Sequence, residues 1–379
     1  MQDAGGGGKA YLMSIEIRNL RKMFGETAAV AGIDLDIAEG EMLVLLGPSG
    51  CGKTTTMRCI AGLETPDSGR IALGGRVIYD HARGINVPTN RRHVGMVFQS
   101  YAIWPHMSVY QNVSFPLEME GKGKSEINRR VRDILKLVGL EGFDDRGASY
   151  LSGGQMQRVA LARSLVMEPS VLLFDEPLSN LDARLREHLR VQLRELQTQL
   201  KITSVYVTHD QREALALADK IVVMQLGHVK QVADPVTLYR HPRSATIADF
   251  LGYSNIFDVR VASRNGASTA VTFEANGLRL TAEGSPPEES AGVVACVRPD
   301  DVSVRLHEGG AGASDLPENT LVGEVLLASF IGSHMQYRIK VHEQVIWEVL
   351  SSDVTTDIRV GARVAINVAP RNVLLLPRE

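Results

Sequence analysis

The chain has 379 residues, of which 22% are charged and 44% hydrophobic, and its formal net charge is −3. Its length predicts about two or three domains, its composition is typical of a soluble globular protein, and its near-neutral charge argues against a nucleic-acid partner, which needs a basic stripe. The three scattered cysteines, Cys51, Cys59 and Cys296, form neither a disulfide framework nor a metal-ligand spacing, and no apolar run approaches the roughly 18 residues of a membrane-spanning helix.

The predicted elements begin with a disordered extension over residues 1–13, because this stretch contains four consecutive glycines. Residues 14–46 then alternate apolar and polar side chains, which predicts half-buried antiparallel strands. The last run of this segment is apolar throughout, as in a central strand that is covered on both faces. A glycine-rich loop follows, and a helix is predicted from Lys53 until Gly62 ends it.

The middle of the chain changes to helical periodicity. Two stretches, 124–137 and 152–166, repeat apolar residues at helical spacing, so we expect a mainly helical subdomain at about 100–166. Residues 171–224 then alternate strands with helices, which indicates a parallel sheet.

The last third of the chain has the pattern of a small β-barrel. Short β-rich runs are separated by turn-forming clusters from residue 255 onwards. The expected domains are therefore an α/β domain over residues 14–244 and an all-β domain over residues 245–379.

The glycine-rich loop matches the G-x-x-x-x-G-K-[ST] phosphate-binding pattern. Backbone N–H groups can converge on the β- and γ-phosphates only where glycines permit the geometry, and the dipole of the following helix adds to the attraction. Lys53 would supply a point charge, and the Thr54 hydroxyl would bind Mg²⁺. The expected nucleotide-binding residues of this phosphate loop are Gly47, Pro48, Ser49, Gly50, Cys51, Gly52, Lys53, Thr54 and Thr55.

Two adjacent carboxylates, Asp175 and Glu176, end a buried apolar run. Placing both in an apolar sheet costs several kcal/mol unless a cation is present, and Mg²⁺ fits that need. Asp175 is the expected metal-positioning carboxylate, whereas Glu176 is the expected general base that polarises the attacking water. Taken without the phosphate loop, the same pattern could be a strand that ends in a solvated acidic turn.

A second glycine-rich helix start, called the signature below, comprises Leu151, Ser152, Gly153, Gly154 and Gln155. A serine N-cap followed by two glycines and a helix makes an anion site in which the Ser152 hydroxyl is an added donor. The alternative is an ordinary capped helix. Such a helix does not need two glycines in its first turn, where each costs about 0.5–1 kcal/mol against alanine.

Together these motifs resemble the ATP-binding cassette (ABC) ATPases, and the resemblance covers residues 14–240. They follow the family's order, which is the phosphate loop, Gln99, the signature, Asp175-Glu176, Asp182 and His209. The resemblance implies a P-loop ABC nucleotide-binding domain with a helical subdomain, and the β-rich segment resembles the OB-like domain (TOBE or MOBE type) of importer ATPases. It also implies ATP and Mg²⁺ as cofactors, with ATP held between the phosphate loop of one subunit and the signature of the other.

The resemblance assigns roles to single residues. Gln99 is similar to the family's glutamine that senses Mg²⁺ and water, and it is therefore expected to be a metal ligand and a catalytic residue. Asp182 resembles an aspartate in the loop that reaches across the dimer. His209 resembles the switch histidine that contacts the γ-phosphate.

Two apolar residues complete the nucleotide-binding set that the resemblance implies. Phe24 lies upstream of Lys53, where the family keeps an aromatic side chain that stacks on adenine. A core phenylalanine is the alternative for this position. Val30 is expected to contact the nucleotide as well.

Three functions of the family compete: an importer subunit, a soluble ATPase of DNA repair or translation, and an exporter subunit. Repair-type members place a long coiled coil between the phosphate loop and the signature, translation-type members carry two cassettes, and exporters usually fuse the cassette to membrane helices. None of these features occurs here. The OB-like segment favours an importer ATPase that couples ATP binding, dimer closure and hydrolysis to solute uptake, and a soluble ABC ATPase outside transport is the alternative.

The implied partners are a second copy of the chain or a closely related ATPase subunit, two membrane permease subunits and, indirectly, an extracytoplasmic solute-binding protein. These partners imply a peripheral location at the cytoplasmic face of the inner membrane. Residues 250–257 lack an insertion that is common in sugar-importer members, and Trp104 stands where those members usually have tyrosine. Both observations favour a polyamine, ferric iron or another small ion or organic solute, with a sugar as the alternative.

Overall fold

The computed structural model describes residues 13–284, 292–307 and 316–379. The chain divides into two compact units, of which the first ends at Arg240 and the second begins at His241. Apart from Met13, the extension expected over residues 1–13 lies outside the described residues. No helix in the described part of the chain is long and apolar enough to cross a membrane.

The first unit alternates strands and helices. Its strands are β1 (Ile15–Phe24), β2 (Thr27–Ile37), β3 (Met42–Leu46), β4 (Ser68–Leu73), β5 (Arg76–Asp80), β6 (Ile85–Asn86), β7 (Val94–Val97), β8 (Val171–Asp175), β9 (Thr203–Thr208), β10 (Lys220–Gln225) and β11 (His228–Ala233). Its helices are α1 (Lys53–Ala61), α2 (Val109–Met119), α3 (Lys124–Leu137), α4 (Gly153–Leu165), α5 (Ala183–Leu200), α6 (Gln211–Leu217) and α7 (Pro235–Arg240).

These strands form two sheets. β2, β1, β4, β5 and β6 make one sheet in that order, whereas β11, β10, β3, β9, β8 and β7 make the other. In the second sheet β10, β3, β9, β8 and β7 pair in parallel, and β11 pairs antiparallel with β10. All five residues of β3 are buried inside this sheet, as the continuous apolar sequence predicts.

Parallel pairing brings the loops that carry the motifs to one edge of the second sheet. β3 ends before the phosphate loop, β8 ends at Asp175, β9 ends before His209, and β7 ends two residues before Gln99. Because these strands point the same way, their carboxyl ends lie side by side. This edge is therefore where the expected chemistry can be assembled.

One hydrophobic core contains residues from both sheets and from α1. Ile15 and Ile17 of β1 and Leu35 of β2 are buried in it, together with Met57 and Ile60 of α1. Their spacing explains the alternation in the sequence, since every second side chain of a strand points to the same face. The helix that follows the phosphate loop is thus fixed against the sheet.

The segment that was expected to be helical contains α2, α3 and α4, which pack against one another. α3 and α4 were predicted within a residue or two of their bounds, but α2 was not predicted as a separate element. It contains Pro116, a residue that is disfavoured inside a helix. The strands β4, β5, β6, β7 and β11 and the short helix α7 were not predicted either.

The second unit is almost entirely β. After the short helix α8 (Ala245–Phe250), its strands are β12 (Asn255–Asn265), β13 (Ser268–Phe273), β14 (Arg279–Glu283), β15 (Val293–Val297), β16 (Val302–Leu306), β17 (Thr320–Phe330), β18 (Met335–His342), β19 (Val345–Ser351), β20 (Arg363–Val368) and β21 (Leu374–Pro377). They form two five-stranded antiparallel sheets, ordered β14-β13-β12-β15-β21 and β16-β20-β17-β18-β19. Tyr337 and Trp347 are fully buried in the core of this unit. The predicted fold class, an α/β domain followed by an all-β OB-like domain, is confirmed, although β16 was missed.

Candidate nucleotide site

The phosphate loop has a backbone that glycine alone accommodates well. Gly50 and Gly52 have left-handed φ angles of 79° and 103°. A Cβ atom on Gly52 would lie 2.1 Å from the carbonyl oxygen of Ala29, and one on Gly47 would lie 2.2 Å from that of Met224. The loop therefore keeps its shape because β2 and β10 leave no room for side chains at these positions.

Lys53 begins α1, and its ammonium lies inside the phosphate loop. The residue is only 4% exposed, and its Nζ donates to the carbonyl oxygens of Gly47 at 2.7 Å and Pro48 at 2.9 Å. The N-cap residue is Gly52, which has no side chain to cap the helix. The N–H groups of the first turn, which have no partner within the helix, thus make this helix start suited to phosphate.

Thr54 and Asp175 meet at the carboxyl end of β8. The Thr54 hydroxyl donates to Asp175 Oδ1 at 3.1 Å, and Arg58 Nη2 lies 3.7 Å from Asp175 Oδ2. Asp175 is 6% exposed, and burial raises the pKa of its carboxyl, whereas the Thr54 hydrogen bond and the charge of Arg58 act in the opposite direction. A hydroxyl and a carboxylate in contact are hard oxygen donors, which is the donor type that Mg²⁺ prefers.

Thr54 and Asp175 suit Mg²⁺, which takes only some of its ligands from the protein, better than a metal ion whose ligands are all protein side chains. Within the described residues there is no group of three or more His, Cys, Asp or Glu side chains that could hold a metal ion. Mg²⁺ is commonly bound by one or two carboxylates together with phosphate oxygens and water. Arg58 was not singled out from the sequence. It lies four residues after Thr54 on the same helix face, and this spacing could have indicated that the two side chains are neighbours.

Glu176 and His209 approach each other from neighbouring strands. His209 Nδ1 is 3.1 Å from Glu176 Oε2, and the backbone N–H of Glu176 donates to the carbonyl oxygen of Val207 at 3.1 Å. Glu176 has a left-handed φ of 44°, which turns the chain after Asp175. The two adjacent carboxylates therefore have different partners: Asp175 contacts a hydroxyl and a guanidinium, whereas Glu176 contacts an imidazole.

Gln99 follows β7 at the same edge of the sheet, and its side chain is exposed. Its backbone oxygen accepts a hydrogen bond from Asn180 Nδ2 at 2.9 Å. The next turn is held by Arg163, which donates to the carbonyl oxygens of Tyr101 at 3.0 Å and Ala102 at 2.7 Å. Arg163 was not expected from the sequence, because nothing local pairs it with a loop some sixty residues earlier.

The signature begins α4 with a complete capping box. Ser152 Oγ accepts from the backbone N–H of Gln155 at 3.4 Å, and Gln155 Oε1 accepts from the backbone N–H of Ser152 at 3.0 Å. Cβ atoms on Gly153 and Gly154 would lie 3.0 Å from Leu181 and Leu185 respectively. The two glycines thus have a packing role that the sequence did not reveal.

Four further expected residues lie in different environments. Leu151 is buried just before α4, and Asp182 caps α5 by accepting from the backbone N–H of Leu185 at 3.0 Å. Phe24 is 51% exposed at the end of β1, with Lys22 Nζ 5.1 Å from its ring centroid, so the core alternative for Phe24 does not hold. Val30 is fully buried in the core, and in this structure its side chain has no surface to offer a nucleotide.

Comparison with known proteins identifies both units. The ABC transporter family model matches residues 30–179, and the TOBE domain model matches residues 295–376. The "Fe(3+) ions import ATP-binding protein FbpC" of Agrobacterium fabrum is 42% identical over 363 residues, which are 96% of this chain and 98% of that protein. The "Spermidine/putrescine import ATP-binding protein PotA" of Rubrobacter xylanophilus is 47% identical over 331 residues, which are 86% of this chain and 84% of that protein.

Two solved structures are similar as well. The structure of cbiO1 from Clostridium perfringens, described as part of the ABC transporter complex cbiONQ, has a TM-score of 0.55 and 34% identity, and covers 60% of this chain and 90% of its own. A dimeric post-hydrolysis structure of the ATP-binding cassette MJ0796, bound to ADP and Pi, has a TM-score of 0.50 and 31% identity, and covers 58% and 98%. The chain therefore belongs to the ABC transporter family as an import-type ATP-binding protein with a C-terminal TOBE domain, and it is an ATPase.

Proposed function

We propose that this chain hydrolyses ATP in the presence of Mg²⁺ at the sheet edge described above and uses the reaction to drive solute import. The observation that carries the proposal is the Glu176 carboxylate, held 3.1 Å from His209 at the edge that also carries Lys53 and Asp175. A carboxylate beside a phosphate-binding helix start can act as a general base that accepts a proton from an attacking water.

Each residue of the site has a distinct task in this proposal. The N–H groups of the phosphate loop and the Lys53 ammonium bind the β- and γ-phosphates, and Phe24 presents an exposed ring to the adenine. Thr54, Asp175 and Gln99 would hold Mg²⁺, which when bound neutralises phosphate charge. Glu176 orients the water and takes its proton, and His209 keeps that carboxylate in place.

The site is completed by a second copy of the chain. Ser152 is exposed at the start of α4, where its hydroxyl proton can still be donated because only its oxygen is engaged by the capping box. We place the Ser152, Gly153, Gly154, Gln155 and Asp182 positions opposite the phosphate loop of the partner, with ATP between them. The similar ATP-binding cassette that was solved as a dimer supports this arrangement.

The membrane permease would dock in an apolar groove beside Gln99. The groove has a volume of about 880 Å³, and its lining includes the aromatic side chains of Phe98, Trp104 and Phe115 together with the charged side chains of Glu120 and Arg163. We assign it to a short amphipathic helix of a permease subunit, because such helices bury one apolar face in a groove and leave charges at its edge. Two permease subunits, one for each ATPase, would hold the chain at the cytoplasmic face of the inner membrane.

The imported solute is ferric iron or a polyamine in this proposal. The names of two similar proteins, the FbpC and PotA relatives, state these two substrate classes. A solute-binding protein would deliver the solute on the other side of the membrane. The experiment is to purify the chain with its permease, place the complex in lipid vesicles and measure the ATPase activity with Fe³⁺, spermidine and maltose. The solute that stimulates hydrolysis identifies the substrate class. A chain that retains no permease partner would favour the alternative, a soluble ATPase.

Glu176→Gln tests the proposed chemistry directly. The substitution keeps the shape and removes the basic oxygen, so we expect turnover to fall about 10²–10⁴-fold with ATP affinity unchanged. ATP should then trap a dimer that size-exclusion chromatography resolves with and without Mg²⁺-ATP. Glu141→Gln, at an exposed glutamate of the first unit, is the control and should hydrolyse at the wild-type rate. A Glu176→Gln protein with wild-type turnover would remove this residue from the mechanism.

We also propose that the domain boundary lies near residue 244 and that the TOBE unit is separable from catalysis. Every residue assigned to nucleotide chemistry precedes residue 210, and the second unit has its own core. A truncated chain of residues 1–244 should therefore bind ATP with wild-type affinity. If it folded by circular dichroism but lost nucleotide binding, the proposed division would be wrong.

A further inference from the structure

Arg186 connects two loops that the proposed mechanism treats separately. Its Nη2 donates to the carbonyl oxygen of Leu181 at 3.1 Å, and its Nη1 donates to Asp210 Oδ2 at 3.5 Å. Leu181 immediately precedes Asp182, and Asp210 immediately follows His209. A single guanidinium therefore fixes the distance between the loop of Asp182 and the turn of His209.

The turn of His209 is anchored further by a buried carboxylate. Glu213 is 4% exposed, and its Oε2 accepts from the hydroxyls of Tyr206 at 2.9 Å and Thr208 at 2.8 Å, while Arg186 Nε lies 3.9 Å from its Oε1. Burial raises the pKa of Glu213, and the hydrogen bonds from Thr208 and Tyr206 lower it.

The hydroxyl of Thr208 also accepts from the backbone N–H of Asp210 at 2.9 Å. His209 lies between these two residues, so both of its neighbours in the chain are held by the network around Glu213. Its imidazole in turn lies 3.1 Å from Glu176. A shift of the network would move His209 relative to the proposed general base.

At its other end the network reaches the signature. Leu181 and Leu185 stand where Cβ atoms on Gly153 and Gly154 would come within 3.0 Å, so both leucines pack tightly on the start of α4. In the proposed dimer the signature touches ATP in one site, whereas His209 and Glu176 of the same chain act in the other. The contacts thus form a continuous path between two different ATP sites.

We propose that Arg186 is a positioning residue that couples the signature of a subunit to the catalytic His209–Glu176 pair of the same subunit. This inference rests on the proposed function, because it presumes the composite ATP sites. Arginine suits the task, since its planar fork can hold a carbonyl oxygen and a carboxylate at the same time, whereas the ammonium of lysine is a single point charge.

The test compares Arg186→Gln and Arg186→Lys with the wild-type chain in steady-state ATPase assays and in equilibrium binding of a labelled ATP analogue. We expect Arg186→Gln to lower kcat about 10-fold, a loss that corresponds to misplacement of a group and not to its removal. KM and analogue affinity should stay within about 2-fold. Arg186→Lys should retain more activity than Arg186→Gln, because it keeps the charge beside Asp210. If the glutamine variant does not fold, the kcat of Arg186→Lys is compared with that of the wild-type chain instead.

Arg190→Gln is the matched control. Arg190 lies one turn further along α5 and donates to Glu187 and to the carbonyl oxygen of Arg212, so it also joins α5 to α6, and these bonds involve neither Asp210 nor Glu213. A general loosening of the two helices would therefore lower kcat in both variants. We expect kcat to fall only with Arg186→Gln.

A double-mutant cycle with Thr208→Val tests the coupling itself. If both residues act through the position of His209, the double variant should have a kcat close to that of the worse single variant, whereas the fold losses of independent variants would multiply. Multiplying effects, or wild-type kcat in both Arg186 variants, would overturn this inference. Different results would contradict the proposed function: a wild-type chain that does not bind ATP, or a Glu176→Gln variant that keeps full turnover.

Discussion

The phosphate loop and the signature are both glycine-rich starts of helices, yet their glycines are needed for different reasons. In the phosphate loop, Gly50 and Gly52 have left-handed backbones, and the N-cap position of α1 has no side chain. In the signature, neither glycine has a positive φ, and Ser152 caps α4. Their hydrogen atoms instead leave room for leucines of the neighbouring loop and helix.

Glycine content alone therefore does not identify an anion site. The phosphate loop leaves the N–H groups of its first helical turn open, so it can bind phosphate without help. In the signature, one N–H group of the first helical turn, that of Gln155, already donates to Ser152 in the capping box. We therefore expect the phosphate loop to bind ATP in a single subunit and the signature to add its contacts only when two subunits close.

The largest effect is expected from Gly52→Ala. The new Cβ would lie 2.1 Å from a backbone oxygen at a left-handed residue, so backbone strain of about 1–3 kcal/mol and overpacking of about 1–3 kcal/mol should add. We expect a loss of about 2–6 kcal/mol in the free energy of unfolding, measured by urea denaturation, together with loss of ATP binding.

Gly153→Ala is the counterpart of that variant in the signature. Its Cβ would meet only the movable end of Leu181 at 3.0 Å, and alanine favours the helix by about 0.5–1 kcal/mol. The free energy of unfolding should therefore change by less than about 1 kcal/mol, with ATP affinity of the single subunit intact. Equal damage from both substitutions would contradict the distinction.

Lys53→Ala should weaken ATP binding without a comparable loss of stability. A charge-assisted hydrogen bond is worth about 1.5–3 kcal/mol, so the dissociation constant for a labelled ATP analogue should rise about 10–100-fold and hydrolysis should nearly cease. Lys230→Ala, at an exposed lysine of β11, should bind ATP normally. Unchanged affinity and turnover in Lys53→Ala would refute the assignment of the loop.

Phe24→Ala examines the adenine end of the same site. If the exposed ring stacks on the base, its loss should weaken ATP binding by about 1–3 kcal/mol, and Phe24→Trp should restore affinity. Phe330→Ala, at an exposed aromatic residue of the second unit, should leave binding unchanged. Calorimetric titration with ATP gives both constants, and an unaltered affinity in Phe24→Ala would mean that the ring does not contact the base.

Ser152→Ala tests the helix cap of the signature. Loss of the N-cap should lower the free energy of unfolding by about 1 kcal/mol, with single-subunit ATP affinity unchanged. Ser152→Thr should keep the cap and serves as its control, whereas Ser152→Arg should block closure of the dimer by filling the space for the partner's γ-phosphate. If Ser152→Ala weakened ATP binding of the isolated subunit as much as Lys53→Ala, the proposed division of labour between the two helix starts would be wrong.

The local elements of this protein could be predicted from its sequence. The alternation in β1 and β2, the apolar run of β3, and the bounds of α1 and α3 follow from periodicity and from end signals such as Gly62. The order of the motifs was enough to predict the family and the fold class. These features were accessible because each depends on residues that are close together in the chain.

The contacts between residues that are distant in the chain could be seen in the tertiary structure but not in the sequence. Three arginines join segments that are distant in sequence, and their contacts depend on how the helices pack. They are Arg58 beside Asp175, Arg163 on the turn after Gln99, and Arg186 between two loops. The tertiary structure also placed Val30 in the core, since the face to which a strand residue points depends on what covers the sheet. A side chain that bonds across the fold has no local signature, so its role becomes visible only when parallel pairing and helix packing have set the distances.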